Sequence, residues 1–388
     1  LKGWWNDMKI RGSYGSLGNQ VMDDLGNFPY LATYGTNSSY NYLINGSKPV
    51  IVKAPGLVAP DFTWETVTQM DFGFDASFLN NRLTGTFDWY RRNTKDMLVA
   101  GATLPATLGA SVPKSNSADM KTIGWELSLG WNDRLENGFS YWVKGVLSDY
   151  QATITKYAGN DAGFYSQSDD DGKYYVGQKI GEIWGYHSNG LFQSDDEAAT
   201  IDQSELYAGK WGAGDVKYED LDNDGKITKG EETIYNPGDK SIIGNKTPRY
   251  QFGITVGFDY KNFDFEMFWQ GTGKRDYMLS GAQFWGFTSQ WDVPYTPALD
   301  YWTETNTDAY FPRPGWQNGG NRVTSDRYLQ SAAYGRLKNL TVGYTIPKNL
   351  TTKWGISRLR LYVTGENLLT ITPLNDAFDP ETLGGMTY

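Results

Sequence analysis

The chain contains no cysteine and a single histidine, His187. The first absence removes disulfide frameworks, thiolate nucleophiles and cysteine-based zinc sites. The second weakens catalytic readings, because His187 has no G-x-S-x-G nucleophile motif to serve. Positive charge is also short: 35 Lys and Arg face 45 Asp and Glu, giving a net charge of -10 and a pI near 4.8. Nothing supplies a basic stripe for phosphates, which argues against nucleic acid as a partner. No apolar run reaches the roughly 18 residues that a membrane helix needs. Barrel strands escape that test, because their apolar residues alternate with polar ones.

Aromatic residues are abundant, with 27 Tyr, 18 Phe and 15 Trp, yet the mean hydropathy is -0.55. A barrel with a lipid face, a polar lumen and long wet loops has this composition. A secreted carbohydrate-binding β-protein shares it, so composition leaves both open.

Periodicity is more decisive. From Trp64 to Phe78 the even positions include Met70, Phe72, Phe74, Ala76 and Phe78, while the odd ones include Glu65, Gln69, Asp71 and Asp75. One oily face and one carboxylate-bearing face is the period of a strand. After Asn80-Asn81-Arg82 a second strand carries Leu83, Phe87 and Trp89 against Thr84, Thr86 and Asp88. The pattern returns at Ile123–Trp131, Phe139–Leu147, Tyr250–Tyr260, Phe263–Trp269, Leu340–Ile346 and Leu359–Val363, with a further strand around Met8 and Ile10. About nine strands are expected. Glu65, Asp71, Asp75, Glu126, Asp264 and Glu266 fall on the polar face, where they hydrate a wall rather than perform acid–base work.

The connections alternate in length: long (17–62), short (80–82), long (100–121), short (133–138), very long (158–249), short (261–262), long (273–330), short (347–357). An up-and-down barrel produces that alternation, with tight turns on one rim and large loops on the other. A Greek-key sandwich has no reason to. Trp64, Trp89, Trp131, Tyr250, Tyr260 and Trp269 are expected in interfacial girdles. Nine strands would leave two open edges, which lipid does not tolerate. The chain, which begins at Leu1 without a leader, therefore reads as an excerpt of a longer barrel, with strands expected before Leu1 and at least one after Tyr388.

Several stretches carry a resemblance. They include Met8–Gly15 with Gly18-Asn19-Gln20, Phe62–Glu65, Leu79–Gly85 running into Asp88–Arg91, and Gly124–Leu127. Ile242–Asn245, Arg336–Leu340 leading to Gly343–Pro347, and Gly365–Leu368 followed by Asp379-Pro380-Glu381 complete the set. In this order they resemble the C-terminal barrel portion of SusC/RagA-like TonB-dependent outer-membrane transporters, across essentially residues 1–388. The resemblance implies an all-β, antiparallel transmembrane barrel of about 22 strands with a plugged lumen and long extracellular loops. It also implies TonB-driven import of oligosaccharides or peptides, coupled through an N-terminal plug portion outside this chain, with a SusD-like lipoprotein lid. No enzymatic activity is expected. The competing readings are a passive porin and a soluble calcium-containing carbohydrate-binding β-protein.

One local motif is sharp. Asp220, Asp222, Asp224, Gly225, Lys226, Thr228 and Glu231 fit the D-x-[DN]-x-[DN]-G-x₅-E calcium loop. Three carboxylates, the Lys226 carbonyl, Thr228 and a bidentate Glu231 would supply hard oxygen ligands, and Gly225 permits the turn. Calcium would be structural here, pinning part of loop 158–249. The 273–330 loop is crowded with aromatics, among them Trp285, Trp291, Tyr295 and Trp302. These four are candidate contacts for substrate or lid, since dense aromatic patches seldom stay uncovered. The bland reading is that they pack the loop.

Overall fold

In the computed structural model, described here for residues 4–19, 30–37, 43–48, 50–53, 55–59, 62–101, 105, 107, 109, 112–165 and 174–383, nine strands dominate. They are β1 (Trp5–Asn19), β2 (Glu65–Phe78), β3 (Leu83–Ala100), β4 (Lys114–Arg134), β5 (Ser140–Tyr157), β6 (Arg249–Tyr260), β7 (Phe263–Lys274), β8 (Tyr334–Thr345) and β9 (Arg360–Ile371). They form one antiparallel sheet in chain order, so every neighbour in sequence is a neighbour in space. Long and short connections alternate along it as the sequence predicts, except that the β3–β4 connection, 101–113, is no longer than the β8–β9 connection, 346–359. No helix among the described residues is long and apolar enough to cross a membrane.

The register shows how alternation becomes two faces. Ile10, Phe74, Phe87, Leu127, Leu147 and Phe252 lie opposite one another in succession, and the row continues through Gly271 and Gly335 to Ile371. Opposed residues in an antiparallel ladder share a face, so this row is a continuous apolar band across all nine strands. The adjacent row holds Arg11, Gly73, Asp88, Glu126, Ser148, Gln251 and Thr272, and is polar throughout. On that face Arg11 pairs with Asp75 at 2.8 Å and with Asp88 at 3.0 Å. Arg360 likewise holds Asp264.

Two local devices keep the faces consistent. Against β9 the shift between Leu337 and Asn339 places the extra residue in β9, and against β7 the shift between Phe268 and Trp269 adds one at Lys338. That bulge turns both Leu337 and Leu340 to the apolar face. Gly257 accommodates the indole of Trp142, with which any Cβ there would collide. A large ring lying across a strand glycine restores packing that the glycine lacks.

The expected girdles are partly displaced. Trp89 and Trp269 sit in mid-strand, opposite Trp125 and Ile254. The short-turn rim instead gathers Trp4, Trp5 and Phe78, then Phe139, Phe258, Tyr260 and Phe265 in mutual contact. Strand β4 also begins at Lys114, earlier than the Thr122 expected from its apolar period. Its first residues alternate small polar groups with buried Asn116 and Ala118, a pattern without oily residues to mark it.

Candidate functional site: the loop body on the open rim

The connections β5–β6 and β7–β8 do not stand apart. Tyr186, Leu191, Val216, Tyr218 and Ile227 from the first meet Leu279, Phe284, Trp285, Phe311 and Tyr328 from the second in one buried cluster. Leu374, on the segment after β9, joins them. Burial pushes the phenols of Tyr218 and Tyr328 above their ordinary range.

Polar ties cross the same seam. The Tyr218 hydroxyl donates to Gly320 O at 2.7 Å, and Val216 N donates to Asn321 Oδ1 at 2.8 Å. Asp215, fully buried, accepts from Arg313 at 2.6 Å and from Asn321 Nδ2 at 2.9 Å. His187 bridges Asp326 and Ser241, at 2.7 Å on each ring nitrogen. Spacing gave no sign of that relay, since Asp326 lies 139 residues away. Ser241 sits within a strand, Lys240–Asn245, rather than on the sharp strand-to-helix turn of a nucleophile elbow. The relay is a tether between the loops.

The acidic motif folds as a tight exposed loop. Asp220 accepts backbone N–H bonds from Asn223 at 2.7 Å and Gly225 at 2.8 Å, and Asp224 accepts from Lys226 N at 2.8 Å. Asn223 and Gly225 take the positive φ that this winding requires, at 62° and 84°. Ile227 is fully buried in the cluster above, and its N–H donates to Asp202 O. One oxygen from each of Asp220, Asp222 and Asp224 lies within 4.8 Å of the others.

Glu231, expected among the ligands, is not in that group. The chain turns at Gly230 (φ 57°) and Glu232 (φ 55°), so Glu231 N donates to Asn236 O and no helix carries the carboxylate back. Thr228 is engaged from outside the motif: its N–H donates to Asp239 Oδ2 at 2.7 Å, and its carbonyl accepts from Asp239 N. Asp239 Oδ1 accepts Leu221 N at 2.8 Å. This fully buried carboxylate clamps both arms of the loop, and the twelve-residue pattern gave no hint of it.

The loop's charges strain against one another. Partial desolvation and the nearby carboxylates of Asp224, Asp239 and Asp220 push Asp222 above the usual carboxylate range. Desolvation pushes Asp220 up as well, but its backbone hydrogen bonds outweigh this and hold it low. Clustered negative charge of this kind is what a cation relieves.

The four candidate aromatics separate. Trp285 is 8% exposed and packs edge-on against Tyr328 at 4.6 Å, so it builds the loop core and is not a surface contact. Trp302 is half-buried against the same cluster, beside Gly214. Trp291 and Tyr295 remain in solvent, 83% and 56% exposed.

A single antiparallel wall in chain order, apolar on one face and polar on the other, with tight turns on one rim and a packed loop body on the other, defines a barrel-forming outer-membrane protein. The chain belongs to the family described as TonB dependent receptor-like, beta-barrel, whose model matches residues 3–368. Family membership places it in the outer membrane. It is 30% identical to TonB-dependent receptor P3 of Formosa agariphila, over 96% of this chain and 36% of the relative. It is 26% identical to TonB-dependent receptor SusC of Bacteroides thetaiotaomicron, over 98% of this chain and 36% of SusC. The structure of the RagAB peptide transporter matches with a TM-score of 0.73 at 22% identity, covering 98% of this chain and 39% of that one. The chain thus spans little more than a third of the length of these relatives.

Proposed function

We propose that the protein of which this chain forms the wall imports oligosaccharides or peptides across the outer membrane, driven by TonB. The loop body faces outward, where a SusD-like lipoprotein covers it. The observation that carries this reading is the family match along nearly the whole wall, joined to a rim on which three separate segments share one hydrophobic core. Likeness to TonB-dependent receptors supports TonB-driven import, and the shared fold with a structure named as a peptide transporter is in keeping with a peptide cargo. In cells, deletion of the receptor and deletion of TonB should each abolish uptake of the same nutrient. Uptake that persists without TonB would make the barrel a passive pore.

Trp291 serves the lid rather than the substrate in this reading. An indole 83% exposed, with Val293 at 79% beside it, is the kind of anchor that interfaces bury. Trp291→Ala should reduce recovery of the lid with the purified receptor while leaving barrel migration on gels unchanged. Full recovery would leave Trp291 a solvent-exposed ring.

The acidic loop binds one calcium ion through Asp220, Asp222 and Asp224, with the Lys226 carbonyl as a further ligand. Without Glu231 the remaining positions fall to water, so affinity belongs to the weak extracellular class, on the order of 10⁻⁴–10⁻³ M. Chelator should make loop 158–249 more sensitive to protease, and Asp222→Asn with Asp224→Asn should do so regardless of calcium. Equal sensitivity of the wild type with and without chelator would end this reading.

A further inference from the structure

A cleft of about 460 Å³ lies between the second long loop and the segment after β9. That volume is in the range of small-ligand sites. Tyr277 and Tyr295 line it from the loop, and Phe378 from the segment. The same lining carries polar groups without hydrogen-bond partners among the described residues. These are the exposed Gln283 amide, the two tyrosine hydroxyls and one carboxylate oxygen of Asp379.

The wall on the Asp379 side is firmly built. Asp379 Oδ1 accepts from Arg336 Nη2 and from Glu381 N, both at 2.8 Å, which leaves Oδ2 open. Arg336, 9% exposed, also holds Glu381 at 2.8 Å, and Lys338 reaches Glu381 at 3.0 Å. Arg275 donates to Pro380 O at 3.3 Å and to Leu383 O at 2.9 Å. The segment is therefore fixed at its acidic side chains and at its backbone, and the cleft is preformed rather than a gap between loose chains.

The chemistry of the lining selects a ligand class. Asp379 and Glu381 are matched by Arg336 and Lys338, so the cleft does not select on net charge. What remains is aromatic ring surface beside an amide, hydroxyls and a carboxylate oxygen. Ring faces suit the C–H-rich face of a sugar, and planar polar groups suit its hydroxyls. An extended peptide would seek a free strand edge. The short strand on this wall, Asp276–Met278, pairs by one edge with Leu329–Ser331, and only Tyr277 of its three residues lines the cleft.

We infer that this cleft binds one or two units of a neutral oligosaccharide, which names the substrate class within the importer reading and rests on that reading. The test uses cells carrying the full-length receptor with its lid, and compares wild type, a receptor deletion, and a variant with Tyr295→Ala and Gln283→Ala. Both side chains are solvent-exposed, and receptor levels are checked by heat-modifiable gel migration. Initial uptake is measured at low concentration for neutral glucan, mannan and xylan oligosaccharides and for a peptide digest. Loss of a stacking ring and an amide should lower uptake of the imported glycan by about tenfold. Tyr295→Phe with Gln283 intact should retain most of it. A deletion strain that takes up glycans and peptides normally would remove the importer reading itself. A deletion that stops only peptide uptake keeps the importer and overturns the cleft. Glycan uptake lost in the deletion but normal in the double variant also overturns it.

Discussion

Asp239 lies outside the acidic loop, yet each of its oxygens holds one arm of that loop. Asp239→Ala would remove the partner of the Leu221 and Thr228 N–H groups at a part-buried site, a cost on the order of 1–2 kcal/mol. Protease should cut 220–240 faster in this variant even with calcium present, which separates the clamp from the ion. A pH effect belongs to Asp222. Its carboxyl is raised by desolvation and by Asp224, Asp239 and Asp220, so it takes up a proton at a higher pH than an ordinary aspartate. A bound cation competes with that proton. Calcium affinity, measured by titration calorimetry, should therefore weaken as pH falls, beginning above the ordinary carboxylate range. Asp222→Asn should bind more weakly and lose that part of the pH dependence. The gathering of the three aspartates was legible because their spacing is local. The place of Glu231 was not, because Gly230 and Glu232 turn the chain around it.

At the scale of the strand, legibility follows from period. Wherever both faces differ in polarity, as in β2, β3, β5 and β6, the alternation gave the element and its facing residues. It failed at the start of β4, where both faces are small or polar, and it could not place the bulge at Lys338. The two faces make a paired prediction. Leu127 sits in the middle of the apolar row and Glu126 next to it in the polar row. Leu127→Arg places a charge toward lipid and should cost roughly 2–4 kcal/mol. Glu126→Arg faces the lumen and should leave folding nearly unchanged. Refolding into lipid vesicles, followed by gel migration against urea, compares them. Equal destabilisation would mean that the assignment of faces is wrong.

At the scale of the whole molecule, the loop body was the part that sequence concealed. Its core is assembled from residues far apart, as in Tyr218 against Gly320 or Asp215 against Arg313, and no local pattern announces such pairs. The aromatic crowding in 273–330 was visible, but not that Trp285 spends its surface inside the core while Trp291 does not. The consequence is a rim that behaves as a unit, with a charged keystone. Asp215 is fully buried and is held by Arg313, Asn321 and the Gly212 N–H, whereas Arg313 is 39% exposed on its side chain. Arg313→Ala therefore strands a buried carboxylate, and solvent screening on the arginine side reduces the penalty to roughly 2 kcal/mol. Because the loops share one core, the loss should spread. Trypsin should attack both 158–248 and 275–333 faster, while strands β2 to β5, held by their own ladder and side-chain pairs, keep their heat-modifiable migration. Asp215→Asn combined with Arg313→Ala should recover part of the resistance by removing the stranded charge. Faster cleavage of only one loop would show that the two fold independently and that their shared core does not bind them into one body.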